Sequence, residues 1–150
     1  MAEIKKILFP CDLSETGTKV TPYLVSVAEA YNSVIYLLHV VDDLGQWGKA
    51  YIPHTSMDAF QGEALKAAEK SMDKICDNQL QGYSNLQKKV VSGDPATEIL
   101  KTIESEDIDL VIMGTHGRRG LEHMIMGSVA DNIVKKASVP VMTVNAQSLK

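Results

Sequence analysis

The chain has 150 residues, 45% of them hydrophobic and 23% charged, with a formal net charge of −4. That size suits one domain able to bury about two-thirds of the surface its unfolded form exposes, and the composition leaves no room for a long disordered tract. An acidic balance argues against nucleic acid and anionic membrane surfaces, which select concentrated Lys and Arg, but leaves small acidic ligands open at a local basic site.

The first residues, MAEIKKILFPCDLSE, place two lysines ahead of an apolar run too short for a signal peptide. No stretch approaches the roughly 20 apolar residues of a spanning helix, so a cytoplasmic location is expected. Cys11 and Cys76 show neither metal-ligand spacing nor a disulfide framework. Each reads as a small buried hydrophobe in a reducing compartment.

Ile4 to Pro10 reads as a strand, and Asp12 to Glu15 as a turn into a helix that Ser14 can cap with its hydroxyl. Val20, Leu24, Val27, Ala28 and Tyr31 follow at helical spacing until Asn32 and Ser33 interrupt them. Val34 to Val41 is almost unbroken apolar sequence, as a strand covered on both faces requires. Asp42 to Ser56 lacks periodicity and reads as a loop of about fifteen residues, near the length at which structureless connections become unusual. Its Trp47 and Tyr51, with His54, form either a lid or, the simpler reading, a plain surface loop.

Phe60, Ala64, Leu65, Ala68, Met72, Ile75, Cys76 and Leu80 trace one face of a long helix that ends near Gly82, and Leu86 to Val91 supplies a third strand. Gly93-Asp94-Pro95 is a helix start, with Asp94 as N-cap and Pro95 where its missing N–H costs nothing. Ile99, Leu100 and Ile103 give that helix a buried stripe. Leu110 to Met113 is the fourth strand. Ser128-Val-Ala-Asp131 has the form of a capping box opening a helix through Ile133, Val134 and Ala137, with Lys135 and Lys136 at its cation-favouring end. Val139 to Val144 closes the series as a strand whose Pro140 suits an edge. Strands alternating with helices imply one doubly wound α/β domain, a five-stranded parallel sheet with helices on both faces, whose order is 3-2-1-4-5 if the first and fourth strands are neighbours at the switch point.

In such sheets ligands bind beyond the carboxyl ends of the strands where the strand order reverses. That rule selects Pro10 to Ser14, Val40 to Asp43, Gly93-Asp94 and the stretch DLVIMGTHGRRGLEHMIMGS from Asp109 to Ser128. In the last, an apolar run breaks into glycines and enters a helix, so backbone N–H groups and a helix N-terminus converge as an anion site. Neither G-x-x-x-x-G-K-[ST] nor G-x-G-x-x-G occurs, so the phosphate-gripping lysine of Walker-type proteins is missing. No nucleophile with a partnered base stands out, nor does a metal-ligand cluster. His39 reads as a hydrogen-bonded core residue. Asp12 is a turn-former or a crevice residue, and lies at the crevice end of the central strand.

What the chain does contain is Gly114-x2-Gly117-x9-Gly127-Ser128, together with Pro-x-Asp-x-Ser at Pro10 to Ser14, His39-Val40 and the terminal PVMTV. In that order these resemble the universal stress protein family over essentially the whole chain. The resemblance implies an adenine-nucleotide-binding protein, ATP with Mg²⁺ in the first instance, and a homodimer through Val139 to Val144. It implies that Pro10, Cys11 and Asp12 lie by the adenosine, with Asp12 near the ribose or a divalent ion, and that Val40 contacts adenine through its backbone. Met113, Gly114, His116 and Gly117 would wrap the ribose and phosphates, His116 through backbone and loop shape, while Gly127, Ser128 and Val129 hold phosphate oxygens. Arg118 and Arg119 either reach the outer phosphates or form a solvated loop tip. Two positions depart from the family pattern: Cys11, where Val or Thr is common, and Ala130, where ATP-binding members often carry a hydroxyl. The implied role is a nucleotide-responsive regulator or protective binding module with at most slow ATP hydrolysis. The alternatives are a member acting only through protein contacts and a slow ATPase or nucleotidyl transferase.

Overall fold

The computed structural model describes residues 2–14, 16–42, 54–116 and 126–149. Among these, β1 (Lys6–Pro10), α1 (Thr16–Tyr31), β2 (Val34–Asp42), α2 (His54–Gln79), β3 (Leu86–Gly93), α3 (Pro95–Ser105), β4 (Leu110–Gly114), α4 (Ser128–Lys136) and β5 (Val141–Val144) alternate along the chain. All sheet pairings are parallel, and the strand order is β3-β2-β1-β4-β5, as expected from the sequence.

The two-residue period of the strands divides the core. Ile7, Phe9, Ile35, Leu37, Leu110 and Ile112 face one side, where Val20, Leu24 and Ala28 of α1 and Met72 and Cys76 of α2 cover them. Leu8, Leu38, Val111 and Met113 face the other, under Ile99 and Ile103 of α3 and Ala130 and Ile133 of α4. Central strands buried on both faces explain why β1, β2 and β4 read as continuous apolar runs.

Several element boundaries differ from the sequence reading, each for a local reason. β1 begins at Lys6, because the segment before it is held from outside the ladder: one Asp109 carboxylate oxygen accepts the N–H groups of Lys5 and Lys6, both at 2.9 Å. α2 begins at His54, so His54 to Ser56 are helix rather than loop, while 43–53, with Trp47 and Tyr51, lie outside the described residues. β3 continues through Gly93, paired with Asp42. Gly93 has φ +151, and a Cβ there would lie 2.9 Å from Glu98 Cγ, so this hand-over from strand to helix needs glycine. Asp94 then caps α3 as expected, accepting the Thr97 N–H at 3.0 Å. β5 starts at Val141, although the Pro140 carbonyl still accepts the Val111 N–H at 3.0 Å.

The capping box at Ser128 does not form. Gly127 is the N-cap with φ −66 and ψ 159, no side chain caps α4, and Ser128 is already its first helical residue. Asp131, expected to close the box, instead pairs with Lys135 at 3.0 Å. Ser14 sits before the first turn of α1, which begins at Thr16, and its hydroxyl donates to Asp12 Oδ1 at 2.5 Å.

Candidate functional site

The strand order reverses between β1 and β4. Their register runs through Ile7↔Leu110 and Leu8↔Val111, whereas β1 stays paired with β2 as far as Pro10↔Leu38 and β4 with β5 as far as Gly114↔Val144. Beyond Leu8, each strand therefore follows its outer neighbour. The two carboxyl ends part into a crevice, with Pro10 to Ser14 on one wall and Met113 to His116 on the other.

On the β1 wall, the Cys11 N–H donates to the Leu38 carbonyl at 2.8 Å. Asp12 Oδ1 accepts the Ser14 N–H at 2.9 Å as well as its hydroxyl, the geometry of an Asx-turn. Between them Leu13 takes φ 63, an uncommon left-handed conformation outside glycine. The Cys11 side chain is buried in the first core cluster, and burial pushes its thiol up to about 11. This residue is packing, as its type suggested; only its backbone is available to a ligand. Val40 is half-buried against the second cluster, two residues past the point where β2 parts from β1.

The β4 wall is tied at its base. The Thr115 N–H donates to the Val144 carbonyl at 3.0 Å, and the Gly127 N–H to the Thr115 carbonyl at 2.7 Å. These bonds bring the end of β4 and the start of α4 together, which the glycine spacing alone does not reveal. Thr115 is buried, and its hydroxyl pairs with His116 Nδ1 at 2.9 Å. It carries no sequence signal beyond its place between Gly114 and His116. Met113 is buried in the second cluster, so it can offer only backbone to the crevice, and the partly buried Val129 packs against the same cluster. Gly114 is not among the residues with positive φ. A Cβ there would meet the His116 carbonyl oxygen at 3.6 Å, Val20 Cγ2 at 3.7 Å and the Val144 carbonyl oxygen at 3.9 Å, so its service is close approach rather than an unusual conformation. Gly117, Arg118 and Arg119 lie outside the described residues.

The corrected start of α4 bears on the chemistry. The first N–H groups of a helix have no intrahelical partner, and Gly127, as N-cap, has no side chain to take them. Together with the helix dipole they favour an anion. Ala130, read as a missing hydroxyl, is buried in the second core cluster with Leu8, Val111 and Ile133. A hydroxyl there would enter an apolar core. Among the described residues no three His, Cys, Asp or Glu side chains cluster as a metal site, and no helix is long and apolar enough to cross a membrane.

A family model, that of the universal stress protein family, matches residues 3–145. The chain belongs to the universal stress protein family. Among its relatives, universal stress protein MJ0577 of Methanocaldococcus jannaschii is 29% identical, with 96% of each chain covered. The solved structure of MJ0577 superposes with a TM-score of 0.84, covering 96% of this chain and 97% of that one. UspA of Lactobacillus plantarum shares the fold at a TM-score of 0.78 and 23% identity, covering 97% of this chain and 100% of its own. So does a universal stress protein of Archaeoglobus fulgidus solved in complex with dAMP, at 0.58 and 16% identity, covering 97% of this chain and 100% of its own.

Proposed function

We propose that this chain binds an adenine nucleotide, ATP in the first instance, in the crevice between β1 and β4, and acts as a nucleotide-responsive regulator or protective binding module. The observation that carries the reading is the N-terminus of α4, opened by Gly127 as N-cap and held at the carboxyl end of β4, next to the point where the sheet order reverses, by the Gly127 to Thr115 bond. The dAMP complex of the A. fulgidus protein supports it, since the same fold there carries an adenine nucleotide. Pro10, Asp12 and the backbone of Cys11 and Val40 take the adenosine side, and the backbone of Met113, Gly114, His116, Gly117, Arg118, Gly127, Ser128 and Val129 the ribose and phosphate side.

Asp12 has one carboxylate oxygen engaged by Ser14, which leaves the other for a ribose hydroxyl or for a divalent ion shared with phosphate oxygens. A single carboxylate suits Mg²⁺ only as a co-ligand of the phosphates, because that ion keeps several waters and is held mainly by its substrate. The reading is of binding rather than catalysis, with at most slow hydrolysis, since the chain carries no Walker-type lysine to grip the outer phosphates. Ala130 no longer favours a nucleotide-free member, because its burial gives it a packing role.

β5 ends the sheet, and an exposed apolar edge is blunted when it pairs with a second copy, which supports a homodimer through Val139 to Val144. The free, buried Cys11 and Cys76 suit the reducing cytoplasm. The test is to denature the purified protein, identify released small molecules, and titrate ATP and AMP with and without Mg²⁺ while following turnover. Bound adenine nucleotide without rapid turnover is the expected result. No nucleotide and no affinity would sink the reading, and rapid turnover would replace it with an enzyme. Light scattering after size exclusion should give a dimer; a stable monomer at micromolar concentration overturns the pairing.

A further inference from the structure

The β1 wall has a support that the nucleotide residues themselves do not supply. His39 lies on β2, paired with Val90 of β3, and its Nδ1 is 2.7 Å from the Cys11 carbonyl oxygen. The Cys11 N–H is bound to the carbonyl of Leu38, so two consecutive residues of β2 hold both backbone polar groups of Cys11. A carbonyl only accepts, so Nδ1 carries the hydrogen in this contact, which fixes the ring's tautomer. The next residue is Asp12, and the one after is Leu13 with φ 63. An uncommon backbone conformation persists where its surroundings over-determine it, and here the chain is clamped on its N-terminal side by His39 and on its C-terminal side by the Asp12 to Ser14 bonds.

We propose that His39 is a positioning residue of the nucleotide crevice: its Nδ1–H holds the Cys11 carbonyl and thereby fixes the turn that presents Asp12. The inference rests on the nucleotide reading given above. It explains why a polar side chain sits within the apolar run of β2, at a place where a Val or Leu would satisfy the sheet. Because Cys11 follows β1 away from β4, an unanchored Cys11 carbonyl would leave the β1 wall free to drift toward or away from the opposite wall.

Two variants separate the hydrogen bond from the ring's bulk. His39→Phe keeps a ring and removes the donor, while His39→Asn can place its amide N–H near the position of Nδ1. Affinity for AMP and ATP is measured alongside the thermal melt and the exchange rate of the Ser14 amide. His39→Phe should weaken nucleotide binding about tenfold and speed Ser14 exchange, and His39→Asn should restore both to within about threefold of the starting protein. Unchanged affinity in a folded His39→Phe overturns the proposal, as does equal loss in both variants, which would mark a packing role. If His39→Phe does not fold, the nitrogen spectrum of the unaltered protein decides: hydrogen on Nδ1 with a shift on adding AMP supports the role, and hydrogen on Nε2 alone overturns it. An unaltered protein that binds neither nucleotide overturns the functional reading itself and this proposal with it.

Discussion

The two walls of the crevice are built by different means. The β1 wall is shaped by side chains: His39 on the Cys11 carbonyl, Asp12 on Ser14, and a left-handed Leu13 between. The β4 wall is held by backbone, through Thr115 to Val144 and Gly127 to Thr115, and Gly114 serves it by having no side chain. A wall made of backbone tolerates few side-chain additions but depends on few identities. A wall made of side-chain bonds depends on particular donors and acceptors. Substitutions should therefore act on the β4 wall through volume and on the β1 wall through chemistry.

The largest effects belong to the β4 side. Gly114→Val would drive a branched side chain toward the His116 carbonyl and Val20, whose nearest atoms lie 3.6 and 3.7 Å from the place a Cβ would take. Overpacking of this kind costs about 1–3 kcal/mol and should remove nucleotide affinity, while Gly114→Ala, which needs only ordinary contact, should fold normally. Denaturant melts and nucleotide titration of the pair check this; equal behaviour would mean volume does not govern this wall. Ala130→Thr is a second case. Its added atoms enter the cluster of Leu8, Val111 and Ile133, so stability should fall by about 1–2 kcal/mol with no gain in affinity. Tighter ATP binding would show that the hydroxyl reaches phosphate after all.

On the β1 side the expected losses are smaller and can be rescued by chemistry. Asp12→Ala removes the acceptor for the Ser14 N–H and hydroxyl, at a cost of about 1 kcal/mol. Asp12→Asn keeps an oxygen at Oδ1 and should recover most of that stability. Comparing their affinities with and without Mg²⁺ then sharpens the role of the carboxylate: an Asn variant that keeps nucleotide affinity but loses its Mg²⁺ dependence assigns the charge to the ion. If Asn fails to recover stability, the turn does not depend on the Asp12 side chain.

The same contrast explains what could be read from the chain alone. The strands of the sheet followed from β1, β2 and β4 as apolar runs punctuated by turn residues, and the glycine loop after β4 from its spacing, because these patterns are local; the strand order came with the family resemblance. The clamp of His39 on Cys11 joins residues that only the sheet brings together, so His39 showed as a polar residue in a strand without showing its partner. Thr115 was invisible for the same reason. The start of α4 misled because Ser128 and Asp131 match a capping box by type, yet the bond from Gly127 to Thr115 draws the chain in one residue earlier and makes Gly127 the N-cap. Ala130 stood out only against the family pattern, which carries no information on its burial.

Cys11 gives the smallest effect, a pH dependence absent at neutral pH, and tests whether the β1 wall stays packed. Burial comes first among the causes that raise its thiol from 9.0 to about 11, with Asp12 and Cys76 adding to it and the Leu13 N–H opposing. A thiol whose folded value is raised favours the fold fully below the unfolded value and loses that advantage as pH climbs through the folded one. The stability difference between the unaltered protein and Cys11→Ala should thus be constant below about pH 8 and shrink between roughly pH 9 and 11, at no more than about 1.4 kcal/mol per pH unit. Alkylation of Cys11 at neutral pH should be slow for the same reason. A difference that stays flat across the alkaline range, with rapid alkylation, would mean that the β1 wall opens to water and that its side-chain bonds do not hold it shut.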